Sequence, residues 1–218
     1  MSISKCIKAL LLSLILVLVL LIHRVHYRRF RRFLIIVLPL VFNPFKSYSS
    51  YLLLLSLLRY MSSVKLKNAR ILDVGCGSGF LSVIVAGIGV YVVALDIDER
   101  SITNTLINAK VNDVYSNMDI VISNGCMPFR EKSFDFVITN PPYLPCPYVS
   151  YFKALCCGIN SLILYQLLYS CLSKARKGVL VVLSSLTDFS TLFVKSMYLK
   201  SRVRCVNSPL DEICCYEF

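Results

Sequence analysis

The feature that most constrains this chain is a strand followed by a glycine turn at residues 70–80. The stretch reads Arg-Ile-Leu-Asp-Val-Gly-Cys-Gly-Ser-Gly-Phe, so an apolar run ends in an acid and glycine then occupies every second position. This order predicts a buried strand, a tight turn and the first turn of a helix. Glycine permits φ > 0 and close approach of a ligand, and a helix start offers unpaired N–H groups. The stretch therefore predicts a ligand-binding turn in an α/β fold.

A second acid supports this interpretation and narrows the ligand. Asp96 ends the next apolar run, residues 91–95, and lies 21 residues after Gly75. In nucleotide-binding α/β units, an acid at about this distance binds the ribose hydroxyls. No Lys-Ser or Lys-Thr pair follows the glycines, which argues against a P-loop for phosphates. A structural turn in an unrelated α/β protein is the alternative if the turn is considered alone.

The spacing G-x-G-x-G, with Asp73 two residues before it, resembles the first motif of class I S-adenosylmethionine-dependent methyltransferases. The resemblance implies a Rossmann-like, seven-stranded, mostly parallel sheet with helices on both faces. It also implies that the turn binds the methionine end of S-adenosylmethionine, that the second acid binds the ribose, and that Asn124, two residues after a strand at 120–122, contacts the adenine. The cofactor-binding residues expected on this basis are Asp73, Gly75, Gly77, Gly79, Asp96, Ile97, Asn124 and Asn140.

A second motif follows the predicted strand at residues 134–139. It reads Asn140-Pro141-Pro142-Tyr143, and two consecutive prolines fix the backbone direction there. In isolation this is equally well a structural Pro-Pro turn. It lies 61 residues after Gly79, and the pair of motifs resembles the amino-methyltransferases, which modify a planar nitrogen. The resemblance implies that the Asn140 side-chain oxygen and the Pro141 carbonyl accept hydrogen bonds from the target nitrogen, with Tyr143 stacked on its plane.

Flanking segments narrow the resemblance to the archaeal and eukaryotic branch of the HemK/PrmC family. The first is Val-Phe-Asn-Pro-Phe at 41–45, which is followed by a polar pair, Ser49-Ser50, and a leucine-rich helix at 52–61. The second is Ser-Ser-Leu-Thr-Asp at 184–188. The resemblance implies that the substrate is a glutamine amide in a translation release factor, and that a small zinc-binding subunit activates the enzyme. Two alternatives remain open: an amino-methyltransferase of nucleic acid, such as adenine N6 in RNA or DNA, and a catalytically idle, membrane-held binding module.

The N-terminus carries a different signal. Residues 9–22 are apolar except for Ser13, and five arginines follow at positions 24, 28, 29, 31 and 32. We predict an N-terminal hydrophobic helix, with residues 1–32 as a membrane anchor and its basic flank, and residues 33–218 as the methyltransferase domain. The basic flank should remain in the cytoplasm, and the catalytic domain with it. An amphipathic helix on a membrane surface is the alternative.

Ten cysteines are scattered along the chain without a C-x-x-C motif, and the two histidines lie beside the N-terminal apolar run. No metal site with ordinary ligand spacing is predicted. Buried reduced thiols are expected. The adjacent pairs at 156–157 and 214–215 leave a disulfide open as an alternative.

Overall fold

The computed structural model describes Ile7, Leu11 and residues 25–63, 69–144, 157, 162–187, 200–207 and 211–218. Within these residues the helices are α1 (Tyr48–Ser63), α2 (Phe80–Ala86), α3 (Glu99–Val111) and α4 (Leu162–Leu172). The first five strands are β1 (His26–Phe30), β2 (Phe33–Val37), β3 (Arg70–Val74), β4 (Tyr91–Asp96) and β5 (Met118–Ile122). The remaining strands are β6 (Phe134–Thr139), β7 (Ala175–Ser184), β8 (Ser201–Asn207) and β9 (Glu212–Glu217).

Seven of these strands form one sheet in the order β5-β4-β3-β6-β7-β9-β8. The pairs from β5 to β7 are parallel, and β9 pairs antiparallel with both β7 and β8. The predicted seven-stranded, mostly parallel sheet is therefore confirmed. The order reverses at β3, which is paired with β4 on one side and β6 on the other, and such switch points are where open α/β sheets bind ligands.

The central strands are apolar on both faces, as expected for parallel strands covered on each side. Ile71 and Ile138 belong to a core shared with α1, α2 and α3. The neighbouring residues Leu72 and Val137 point the other way, into a second core that includes Leu168 of α4. Helices thus cover both faces of the sheet.

The arginine-rich segment forms a strand. β1 pairs antiparallel with β2, from His26 opposite Val37 to Phe30 opposite Phe33, in a separate two-stranded sheet. The apolar stretch Phe-Leu-Ile-Ile-Val at residues 33–37 provides β2. This hairpin joins residues on both sides of the boundary that we predicted between residues 32 and 33.

The hairpin is attached to α3 by what we call the asparagine ladder: Asn104, Asn108 and Asn112. Asn104 and Asn108 lie on α3 and Asn112 directly follows it, so the side chains recur every four residues. They bond to backbone groups of every second residue of the 34–38 segment. Asn112 exchanges two bonds of 2.8 Å with the N–H and C=O of Leu34. Asn108 accepts from Ile36 N at 2.9 Å and donates to Ile36 O at 2.6 Å, and Asn104 accepts from Leu38 N at 2.8 Å. The helix therefore supplies β2 with the partners that another strand would provide.

The prediction of reduced thiols is wrong for four cysteines. Cys126 is bonded to Cys171, and Cys205 to Cys214. The second pair forms because these residues lie directly opposite each other on β8 and β9. Neither adjacent pair is the one that forms: Cys215 and Cys157 are free and buried, and Cys156 lies outside the described residues.

The predicted hydrophobic helix at residues 9–22 lies almost entirely outside the described residues. Among the helices that are described, none combines the length and the hydropathy needed to cross a bilayer.

Candidate active site

The sequence-predicted residues converge at the carboxyl ends of three adjacent strands. Asp73 is near the end of β3, Asp96 ends β4, and Asn140 directly follows β6. Thr139 links two of these ends, because its hydroxyl donates to Val74 O at 2.9 Å.

The glycine turn is attached to the neighbouring strand end. Gly75 N and Cys76 N both donate to Leu95 O at 2.9 Å. Gly79 has a φ of +75°, and a Cβ there would lie 2.9 Å from Thr105 and 3.0 Å from its Cα. A larger residue at position 79 would therefore be strained and would push α2 away from α3. At Gly75 and Gly77 an added Cβ would meet nothing within 4 Å, so this side of the turn is open to a ligand.

Asp96 connects the turn to β4 and faces the same space. Its carboxylate accepts from Gly77 N at 2.9 Å and from Asp98 N at 3.0 Å, and the residue remains partly exposed. Burial raises the pKa of Asp96, and the two backbone N–H groups oppose this shift. The exposed part of the carboxylate can accept from a vicinal diol.

Asp96→Ala is expected to weaken S-adenosylmethionine binding by about 1–3 kcal/mol, because the ribose hydroxyls would lose their charged acceptor. Isothermal titration calorimetry measures this affinity directly. The matched control is Asp113→Asn, a change at an exposed acid in the turn after α3. Unchanged affinity in the Ala variant would remove Asp96 from the cofactor site.

Asp73 is the most buried acid of the site, with 1% of its surface exposed. Burial raises its pKa to about 7, Asp96 adds to the shift, and a hydrogen bond from the Ser82 hydroxyl opposes it. Burial therefore favours the protonated form of this carboxyl group.

This raised pKa predicts a pH dependence of stability. The folded state holds a proton on Asp73 up to about pH 7, whereas the unfolded chain releases it at about pH 4. The stability from this group is thus fully present below about pH 4 and is lost as the pH rises to about 7. Urea denaturation of the parent and of Asp73→Asn should show a decline over this window that is smaller in the variant; parallel profiles would contradict the assignment.

Asn140 is held by the start of α1. Its Nδ2 donates to Ser49 Oγ at 3.0 Å and to Ser50 Oγ at 3.4 Å, and Ser49 Oγ lies 2.6 Å from Ser47 Oγ. Its Oδ1 is buried and lacks a hydrogen-bond partner, and within the described part of the chain no other side-chain oxygen or nitrogen is so placed. An unpartnered acceptor of this kind is costly, and it is what an incoming N–H donor would satisfy.

The same serines bind Tyr143. Its hydroxyl bonds to Ser49 and Ser47, and burial raises the pKa of this phenol. The ring packs at the margin of the second core. Pro141, between Asn140 and Tyr143, is buried.

A buried acid supports the other side of this segment. Asp211, 7% exposed, accepts from the Ser184 hydroxyl at 2.6 Å and from Ser185 N at 3.0 Å. Thr187, in the same turn, donates to Tyr143 O at 3.0 Å. The turn after β7 thus fixes the backbone that follows Asn140.

Two predicted cofactor residues lie on the rim. Ile97 is 50% exposed. Asn124 is exposed and follows Ser123, whose N–H donates to Asp96 O at 3.0 Å. The structure therefore brings Asn124 close to the end of β4.

Sequence reasoning left several supporting residues without a role. Asp211 has no local signal in the sequence, because its contacts join segments that are distant in the chain. Thr187 lies in the Ser-Ser-Leu-Thr-Asp segment, which supports the family resemblance but does not predict the contact with Tyr143. Ser49 and Ser50 are the polar pair before the leucine-rich helix, and the Asn-x-x-x-Asn-x-x-x-Asn repeat at 104–112 is a local signal for the contacts with residues 34–38.

One group of possible metal ligands occurs among the described residues. The ligand atoms of Cys205, Glu212 and Cys214 lie within 4.8 Å of one another. The two cysteines are bonded to each other, and the Arg202 guanidinium pairs with Glu212. These donors are already engaged.

The residues present fit S-adenosylmethionine. The open face of the glycine turn, the partly exposed carboxylate of Asp96 and the unpartnered Asn140 Oδ1 provide space, a diol acceptor and a free polar atom at one edge of the sheet.

Comparison with known proteins agrees with this geometry. The methyltransferase small domain family matches residues 38–146, half of the chain. A ribosomal protein L11 methyltransferase of Porphyromonas gingivalis is 34% identical over 85 residues, which cover 38% of this chain and 29% of that protein. A ribosomal RNA small subunit methyltransferase C of a Marinomonas species is 34% identical over 86 residues, which cover 39% and 24%. The matches thus span less than a third of these relatives.

Solved structures share the fold. A T. thermophilus 16S rRNA methyltransferase in complex with AdoMet and guanosine gives a TM-score of 0.62 at 19% identity, covering 89% of this chain and 50% of that one. A ribosomal protein L11 methylase of Lactobacillus delbrueckii gives 0.57 at 20% identity, covering 81% and 80%. Both motifs predicted from sequence lie within the matched region. The chain belongs to the methyltransferase small domain family, whose cofactor is S-adenosylmethionine.

Proposed function

We propose that this protein transfers a methyl group from S-adenosylmethionine to a planar nitrogen, either an amide or an exocyclic amine. The observation that carries the proposal is the buried, unpartnered Oδ1 of Asn140 beside the glycine turn and Asp96. A carboxamide oxygen accepts hydrogen bonds and donates none, so it selects a substrate nitrogen that carries hydrogens.

In the structure the Asn140 amide is oriented with its nitrogen toward the start of α1. Nδ2 is bound to Ser49 and Ser50, which leaves Oδ1 as the free atom. We propose that Asp73, the glycine turn, Asp96, Ile97 and Asn124 hold S-adenosylmethionine, which supplies an electrophilic methyl group on a sulfonium.

The role proposed for the side chains is to orient the substrate nitrogen. The lone pair of an amide or aromatic amine is delocalised, so the nitrogen is a poor nucleophile. Acceptance of its hydrogens by Asn140 Oδ1 and by the Pro141 carbonyl would polarise the nitrogen and fix its direction. Tyr143 would stack on the plane of the substrate group. Asn140 and Tyr143 both contact Ser49, which is itself bonded to Ser47. Both side chains would therefore move with the start of α1.

The first substrate that we propose is a glutamine amide in a translation release factor. The Asn-Pro-Pro-Tyr motif and its flanking segments resemble the HemK/PrmC family and support this assignment, together with the zinc-binding activator subunit that the resemblance implies. The alternative is an amino group of a nucleic-acid base, and the curated relatives described above include a ribosomal RNA methyltransferase. An idle binding module is disfavoured, because Asp73, the glycines and Asp96 are all present.

Transfer of a radiolabelled methyl group tests the proposal. The acceptors are a purified release factor, tRNA, rRNA and single-stranded DNA, each with and without the protein. Label on a nitrogen of one acceptor supports the function and identifies the substrate. Label on carbon or oxygen would contradict it.

We further propose that residues upstream of the hairpin form a membrane anchor, with the catalytic domain in the cytoplasm, where the cofactor is made. Because β1 is paired with β2, the hairpin belongs with the catalytic domain, and we place the division before residue 25 rather than at residue 32.

A further inference from the structure

The net positive charge of this protein is confined to its first third. Residues 1–72 contain 12 lysines or arginines and no acid, whereas residues 73–218 contain 12 basic and 12 acidic residues. Seven of these twelve basic residues lie in the described part of the chain: Arg28, Arg29, Arg31 and Arg32 in the hairpin, Lys46 in the turn at 43–47, Arg59 in α1 and Arg70 at the start of β3. Positive charge that is concentrated on one part of a protein favours a polyanionic partner.

The hairpin presents its charges outward on a rigid support. Arg28, Arg29 and Arg31 are exposed, and Tyr27 beside them is 77% exposed. Arg32 has a structural role, since it donates to Gly87 O. The asparagine ladder fixes β2 to α3, so the exposed arginines do not depend on a loose loop for their placement.

This surface continues to the candidate active site. The Arg28 guanidinium lies over the Phe45 ring, 5.4 Å from its centroid. Phe45 precedes an exposed cation and an exposed aromatic ring, Lys46 and Tyr48, the latter 62% exposed. The neighbouring Ser47 and Ser49 are those that position Asn140 and Tyr143. The contact of Arg28 with Phe45, followed in the chain by Lys46 and Tyr48, therefore links the hairpin to the edge of the site.

We propose that the hairpin and residues 46–48 bind a single-stranded polynucleotide and direct one of its bases to Asn140. The arginines and Lys46 would contact phosphates, and Tyr27 and Tyr48 would stack on bases, the combination that single-stranded nucleic-acid sites use. The methylation role of this surface rests on the nucleic-acid alternative of the proposed function, whereas the binding role does not. The observations favour a polynucleotide over a lipid surface, because the exposed groups are aromatic rings interleaved with cations and the surface leads to an acceptor for a planar amine.

The test measures binding of the full chain to a fluorescent RNA of about 12 nucleotides, and to DNA of the same sequence, by anisotropy. The variant is Arg29→Glu/Arg31→Glu. The control, Arg130→Glu/Lys132→Glu, makes the same charge change. Both residues are exposed and precede β6, so they lie toward the amino ends of the parallel strands, whereas the site lies at their carboxyl ends. Sedimentation with phosphatidylserine vesicles is measured for the same three proteins.

We expect the hairpin variant to bind RNA at least about tenfold more weakly, and the control about as well as the parent. The slope of log affinity against log salt should fall by about 1.4, since each phosphate contact on a single strand contributes about 0.7. Equal losses in both variants, or a loss of vesicle binding with RNA binding unchanged, would overturn the proposal. A stronger effect on RNA than on DNA identifies RNA as the ligand, and the reverse identifies DNA.

The two proposals fail separately. If RNA binding does not depend on the hairpin while methyl transfer still requires Asn140, the binding surface is refuted and the function stands. If RNA binding depends on the hairpin and no acceptor is methylated on nitrogen, the function is refuted and the binding surface stands.

Discussion

Asn140→Ala is expected to lower methyl transfer by a factor of roughly a hundred or more, about 2.7 kcal/mol of barrier, while cofactor affinity stays close to that of the parent. The reason is that Oδ1 of Asn140 is unpartnered in the folded protein, and we propose that it accepts from the substrate nitrogen. Turnover, melting temperature and S-adenosylmethionine affinity are measured on the same preparation.

Stability provides the internal control for this variant. Removing Asn140 breaks the bond from Nδ2 to Ser49 but also removes a buried oxygen without a partner, and these effects oppose each other. We therefore expect little change in melting temperature. If the residue only shaped a turn before Pro141, stability and activity would fall together, and normal turnover per folded molecule would refute a catalytic role.

Two further variants sharpen the comparison. Asn140→Asp keeps the size and an acceptor oxygen but adds a negative charge beside the cofactor sulfonium, so partial activity should survive. Ser50→Ala removes only the longer contact, at 3.4 Å, and should lower turnover much less than Asn140→Ala.

Asn108→Ala is expected to lower the free energy of unfolding by about 3 kcal/mol, because Ile36 N–H and the Ser78 carbonyl would both lose a buried partner at roughly 1–3 kcal/mol each. Asn108 is fully buried and bonds to Ile36 and to Ser78 O, the latter at 2.8 Å. Urea denaturation followed by circular dichroism measures the change.

The matched control is Asn117→Ala, which removes one long bond of 3.4 Å to Ala86 O and should cost less than about 1 kcal/mol. Since Ser78 lies in the glycine turn, Asn108→Ala should also weaken S-adenosylmethionine binding. A loss of stability no larger than that of the control would contradict the role assigned to the ladder.

The parts of this fold that sequence predicted are those with local signals. The turn at 75–79 follows from glycine spacing, and the ends of β4 and β6 follow from apolar runs that stop at Asp96 and Asn140. Each of these signals is contained within a few residues, so no distant contact was needed to interpret it.

The misses concern contacts between distant segments. The stretch His-Tyr-Arg-Arg-Phe has no apolar alternation, and we predicted it as the flank of a membrane anchor. It forms β1 instead, because its partner β2 is bound by Asn104, Asn108 and Asn112, about 70 residues later in the chain. The disulfide between Cys205 and Cys214 depends on the register of β8 and β9, which no local pattern specifies. Asp211 contacts the turn after β7 from a distant part of the chain, and no local pattern specifies that contact either.

The asparagine ladder has a consequence for solubility. β2 reads Phe-Leu-Ile-Ile-Val, an apolar, β-branched and uncharged segment of the type that pairs with identical segments of other chains when its edge is open. The N–H groups of Leu34, Ile36 and Leu38 are instead occupied by side-chain amides of the protein's own α3. A helix thus closes a strand edge against intermolecular growth, and substitutions in the ladder should promote aggregation.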